Sequence, residues 1–136
     1  MSDTDQFSDQ EIVAKTLWGE SRGEGHDGQQ AVANVIMNRA NSPRWWGNDA
    51  RSVCLKPYQF SCWNENDPNR AKLMAITTDD SIYGQCLSIA GDALSGALSD
   101  LTLGSDSYCT LSSSPNWSEG LSPVITIGNH KFYKTI

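Results

Sequence analysis

Basic residues are in the minority, ten Lys and Arg against 16 Asp and Glu for a formal net charge of -6. They are also scattered along the chain, so a groove that neutralises phosphates is excluded and nucleic acid is not an expected partner. No apolar run is long enough to cross a bilayer, and membrane insertion is not expected. The opening decapeptide, Met1 to Gln10, is acidic and polar where a secretory signal needs a basic region and an apolar core. The expectation is synthesis in a cytoplasm without a signal peptide. Four cysteines, Cys54, Cys62, Cys86 and Cys109, lie apart with no C-x-x-C pair, which excludes a zinc ribbon and a thioredoxin-type centre. Reduced structural thiols are expected in such a compartment. His26 and His130 are isolated, with no H-E-x-x-H spacing, and neither G-x-S-x-G nor a P-loop is present. Zinc hydrolase, serine hydrolase and nucleotide enzyme are thereby disfavoured, and no metal or cofactor is expected.

What is present fits one compact domain. A chain of 136 residues with 38% hydrophobic and 19% charged content leaves little room for a second core. The reading is a single unit over 1–136, with 1–7 as a flexible tail, acting as a monomer. Ser8-Asp-Gln-Glu11 has the form of a capping box with Phe7 and Ile12 as its hydrophobic staple, opening a helix that Gly19 is expected to end. Glycines at 19, 23 and 25 predict a loop from about Gly19 to Gly25. A buried helix follows from Asp27, with Val32, Val35, Ile36 and Arg39 at helical spacing, until Ser42-Pro43 stops it. One short helical turn is expected at Asp49 to Val53, and Tyr58 to Trp63 alternates in a strand-like way. Asp67-Pro68 opens another helix, and a further one runs from near Ser81 until Gly96 weakens it. Beyond Ser99 the texture is that of short strands and loops, including Val124 to Ile127 and Phe132 to Tyr133. The fold class is therefore α+β, mainly helical, with a small β region toward the C-terminus.

Glu20 is the leading catalytic candidate. It sits at an expected helix C-terminus, whose partial negative charge disfavours a charged carboxylate, and it follows Leu17 and Trp18, which can desolvate it. Arg22 acts in the opposite sense if its guanidinium lies close. A glutamate in a glycine-bounded loop is by itself more often a solvated or capping group than an acid. Its company changes the weighting: Glu24 four residues on, three glycines that permit close approach of a ligand, and an aromatic-rich segment downstream. Aromatic faces that stack on sugar rings, beside amides and hydroxyls, are the equipment of a glycan site. Tyr58, Gln59, Ser61 and Trp63 supply both, with Phe60 assigned to the core and Trp63 open between core and site. Trp45 and Trp46 form either a second platform or a seal for their loop. Glu24 has a plainer role as a partner for Arg22 or Arg39, or as a helix cap. His130 reads first as a hydrogen-bonded structural histidine.

These residues resemble the cell-wall hydrolases of the spore-cortex-lytic type, a family that also includes phage endolysins. The resemblance lies in Trp18-Gly-Glu-Ser-Arg-Gly-Glu24, Gly28-Gln29, Ala31-Val-Ala33 and Val35-Ile-Met-Asn-Arg39, with Ser21 in place of the usual alanine. It continues in Gln59-Phe-Ser-Cys-Trp-Asn64, Asp67-Pro-Asn69 and Asp100-Leu-Thr-Leu-Gly104, where Leu101 and Ser105 depart from the pattern. Tyr108, Pro115-Asn-Trp117 and His130-Lys-Phe-Tyr133 complete it. The resemblance implies a lysozyme-like domain that cleaves peptidoglycan between N-acetylmuramic acid and N-acetylglucosamine. It assigns Glu20 as general acid and then base of a lytic transglycosylase, and it adds Tyr108, His130 and Tyr133 to the substrate-binding candidates. A hydrolytic muramidase is the alternative, and it needs a second carboxylate, for which Glu24, Asp100 and Asp106 are the candidates. A non-catalytic peptidoglycan-binding module is the alternative of another class. The setting expected by analogy is an endolysin that reaches the periplasmic cell wall once the membrane has been permeabilised.

Overall fold

The computed structural model describes residues 3–136, and its architecture is the mainly helical α+β arrangement expected. Five helices, α1 (Asp9–Ser21), α2 (Gly25–Asn41), α3 (Ala50–Leu55), α4 (Pro68–Ala75) and α5 (Ser81–Ser95), precede a small sheet of β1 (Ser107–Thr110), β2 (Ile125–Ile127) and β3 (His130–Tyr133). Short 3-10 turns lie at Asp3–Gln6, Ser61–Trp63 and Asn116–Ser118.

The capping box forms as read: Ser8 accepts from the Glu11 amide while the Glu11 carboxylate takes the Ser8 amide. From Ile12 to Trp18 every α1 side chain is buried, because α2, α3, α4 and α5 surround the helix. Polar side chains on it bond inward: Thr16 to the carbonyl of Ile12, and Lys15 to the carbonyls of Leu73 and Ile76 at the end of α4. Burial lowers the Lys15 pKa from its usual value, and the rings of Phe7 and Tyr83 flank its ammonium.

Gly19 does not end α1, which runs on to Ser21. The reason is tertiary. A Cβ at Gly19 would lie 2.7 Å from Cys62 Cβ and 2.8 Å from its sulfur, so glycine is there to admit the Ser61–Trp63 turn against the helix. The loop expected over Gly19 to Gly25 shrinks to three residues, and α2 starts at Gly25 rather than Asp27 with no side-chain cap. Tyr58 to Trp63 is not a strand, because Tyr58 takes φ of +66° and the chain then winds into the 3-10 turn.

The segment read as a flexible tail is held from Asp3 onward, Met1 and Ser2 lying outside the described residues. Thr4 is buried, and Arg51 donates to the carbonyls of Thr4 and Phe7. Asp3 pairs with Arg70 at 3.1 Å.

The sheet is antiparallel in the order β1-β3-β2, with Tyr108 opposite Phe132 and Thr126 opposite Lys131. Phe132 joins Ala31 and Val35 in a small second core, fixing the sheet on α2. That contact brings Tyr108 to the C-terminal end of α1.

Candidate active site

Glu20 lies on the last turn of α1, partly buried, at the wall of a cleft of about 600 Å³. The cleft is also lined by Tyr58, Gln59 and Phe60 from the loop after α3, by Trp45 and Trp46 from the loop after α2, and by Tyr108 and Trp117 from the C-terminal region. Glu20 is the acidic residue of this lining. Trp45 is 59% exposed and Tyr58 84% exposed, so both present faces to the opening, whereas Trp46 and Phe60 are buried at its floor.

The Tyr108 hydroxyl donates to Glu20 Oε1 at 3.0 Å. Burial, and then the negative charge of Glu20, push the Tyr108 pKa well above the usual tyrosine value of 10.0, so the phenol keeps its proton and remains a donor. The Tyr108 bond thus anchors one oxygen of the carboxylate at the cleft wall. Cys62, packed against Gly19, adds a thiol beside Glu20 whose pKa is raised by burial and by that carboxylate. Cys54 is pushed up to about 12 by burial, and all four cysteines are free thiols.

Arg22 is engaged at the end of its own helix. Its guanidinium stacks on Trp18 at 4.2 Å and donates to the carbonyls of Trp18 and Gly19 and to Asn69 Oδ1. Arg22 therefore satisfies the carbonyl end of α1.

The three candidates for a second carboxylate are engaged elsewhere. Glu24 accepts from the backbone and side-chain amides of Asn129 at 2.9 and 3.0 Å and stands 3.2 Å from His130 Nδ1. The His130 contact is electrostatic, without the alignment of a hydrogen bond. The Asn129 backbone amide is the largest influence and lowers the Glu24 pKa; burial, next in size, acts against it, and the Asn129 side chain and His130 lower it further. Glu24 thus fastens the turn between β2 and β3 to the start of α2. Asp100 accepts from Thr102, Gly104 and Asn38, organising its own turn, and lines a different hollow between α2 and α5. Asp106 is 1% exposed and accepts from Ser107 and Thr135, behind the two residues that line the cleft there.

Of the substrate-binding candidates, Tyr58, Gln59 and Tyr108 line the cleft. Trp63 does not: its indole N–H donates to Thr16 at 2.8 Å in the core, and its outer edge borders a neighbouring hollow with Lys56 and Asn64. Ser61 is exposed outside the lining. His130 sits behind Tyr108, edge-on at 5.2 Å, and Tyr133 sits behind Trp117 at 5.1 Å. Both support cleft aromatics without lining the cleft. Arg39, Arg44, Ser107 and Thr135 also line it and were not singled out as site residues from the sequence. Arg39 carried a signal that could have found it, since an arginine at a core-facing helical position needs a polar purpose.

Comparison with known proteins gives the same grouping. The model of a family described as cell wall hydrolase matches residues 23–133, opening just after Glu20. The spore cortex-lytic enzyme of Bacillus subtilis (strain 168) is 41% identical over 54 residues, which are 40% of this chain and 17% of that protein. That of Bacillus cereus is 35% identical over 81 residues, 57% of this chain and 30% of that protein. The matched stretches thus span less than a third of these relatives. Among solved structures, the catalytic domain of the Bacillus cereus SleB protein superposes with a TM-score of 0.72 at 27% identity, covering 93% of this chain and 89% of that one. The catalytic domain of the germination-specific lytic transglycosylase SleB from Bacillus anthracis gives the same TM-score and identity, covering 94% and 97%.

Proposed function

The chain belongs to the cell wall hydrolase family of the spore-cortex-lytic type, and from that premise we propose that it is a lytic transglycosylase acting on peptidoglycan. The bond cleaved joins N-acetylmuramic acid to N-acetylglucosamine. The observation that carries this reading is the lone acid: Glu20 is the acidic residue of a cleft otherwise lined by aromatics, arginines, an amide and hydroxyls.

A hydrolase with either stereochemical outcome positions a second carboxylate on the order of 5 to 9 Å from the first, to activate water or attack the sugar. Glu24, Asp100 and Asp106 are all held by other partners. Transglycosylation manages with one. In the first step Glu20 gives its proton to the glycosidic oxygen as the C1–O bond breaks. In the second it takes the proton of the muramoyl C6 hydroxyl as that oxygen bonds to C1, closing a 1,6-anhydro ring and regenerating the acid. No water is consumed. The Tyr108 bond to Oε1 supports the carboxylate between the two steps. Trp45, Tyr58 and Trp117 offer faces on which sugar rings stack.

Substituting Glu20→Gln keeps shape and one acceptor oxygen while removing the proton. Clearing of a sacculus suspension is expected to fall by a factor on the order of 10² to 10⁴, with sedimentation onto sacculi retained. Equal clearing by the variant would remove Glu20 from the chemistry, and sedimentation without clearing by wild type would leave a wall-binding module as the better description. For the setting, the reading is a phage endolysin that reaches the wall after the membrane is permeabilised. Co-expression with and without a membrane-permeabilising protein tests it, lysis being expected only with both.

A further inference from the structure

The cleft holds charge that the cleavage steps do not use. Arg39 and Arg44 both line it, so two guanidiniums face one carboxylate in a chain whose net charge is -6. They lean on the same ring: each lies 5.5 Å from the Trp46 centroid, and the Trp46 indole N–H is fixed to the carbonyls of Arg39 and Ser42. Arg39 is 9% exposed and also flanks Phe60, and its Nε donates to the Asp106 carbonyl at 2.7 Å. That bond orients the guanidinium without supplying a counter-ion. The Asp106 carboxylate attracts Arg39 through space, but its oxygens accept from Ser107 and Thr135. Arg44 is exposed, on a loop closed by its backbone bridge to Gly47. Among the described residues neither arginine forms an ion pair. Sugar hydroxyls and acetamide groups are satisfied by neutral donors and acceptors. A desolvated, preoriented guanidinium is costly, and it is the match for a carboxylate.

We propose that Arg39 and Arg44 bind a carboxylate borne by the glycan strand, so that the enzyme prefers strands with a free carboxylate near the scissile bond. This rests on the cleavage reading above. Such a strand carries this chemistry in two places: the lactyl group of a muramic acid that has lost its peptide, and the acidic residues of an attached stem.

The test compares two pairs of substrates by kcat/KM. The first pair is glycan strands stripped of stems by an amidase, with the lactyl carboxylate free or capped as the methylamide. The second is stem-bearing strands with stem carboxylates free or amidated. Wild type is expected to favour the free member of at least one pair by a factor on the order of ten to a hundred, chiefly through KM. The pair that discriminates identifies the source. In Arg44→Gln, whose exposed position leaves the Trp46 floor in place, the free-to-capped ratio is expected to fall toward one. Equal rates within both pairs, or an unchanged ratio in Arg44→Gln, would overturn the proposal while leaving the cleavage reading intact. Cleavage of none of the four would overturn the cleavage reading itself.

Discussion

Tyr108 ties the sheet to the helix that carries Glu20, and its role separates into packing and hydrogen bonding. The ring packs against Phe132 at 5.6 Å and His130 at 5.2 Å, while the hydroxyl meets Glu20. In Tyr108→Phe the packing survives and the bond to Glu20 is lost. A fall in kcat on the order of tenfold to a hundredfold is expected, with little change in melting temperature; a melting temperature that drops in step with activity would assign the residue to the fold alone. Glu24 predicts a pH effect on stability. Its folded pKa lies below the ordinary 4.5, so its contribution is fully present above that value and is lost as pH falls through the lower folded one. Unfolding free energy measured between about pH 5 and pH 3 should therefore decline less steeply in Glu24→Gln than in wild type. Parallel curves would show that the Asn129 contacts carry no linkage.

At the scale of elements, glycine has opposite meanings on two helices. Gly19 on α1 faces Cys62, and alanine there would have to displace the turn that carries it. The expected loss is about 1–3 kcal/mol despite the better helix former. Gly84 on α5 has nothing within 4 Å of an added Cβ, so Gly84→Ala is expected to stabilise by about 0.5–1 kcal/mol. Denaturant titration of the pair checks both signs. The same contrast explains what was legible. Caps were readable because their partners are two or three residues away, as at Ser8–Glu11 and at Asp67-Pro68. The continuation of α1 through Gly19 was not, because its cause is Cys62, far along the chain. Nor was the turn at Tyr58 to Trp63, whose aromatic alternation imitates a strand while Phe60, Cys62 and Trp63 all point into the core.

Over the whole molecule, the cleft is built from stretches far apart in the chain, and only the parts with a distinctive local pattern could be read in advance. Glu20, Tyr58, Gln59 and Tyr108 were legible in this way. The separation of Glu20 from Glu24 was not, since four residues apart on paper become the end of one helix and the anchor of a β-turn. His130 and Tyr133 proved to stand one layer behind the cleft, as supports of Tyr108 and Trp117. The arginines were hidden for a related reason: Arg39 belongs to the buried face of α2, and only the packing of Trp46 opens it to the cleft.

The central claim is that one carboxylate performs both proton transfers. Mass spectrometry of the muropeptides released from purified sacculi tests it most directly. The account predicts that wild type yields products ending in 1,6-anhydro-muramic acid, one water lighter than the hydrolytic products, and that Glu20→Gln yields neither. Reducing-end products from wild type would contradict it, and would require a second carboxylate to work on water in this cleft.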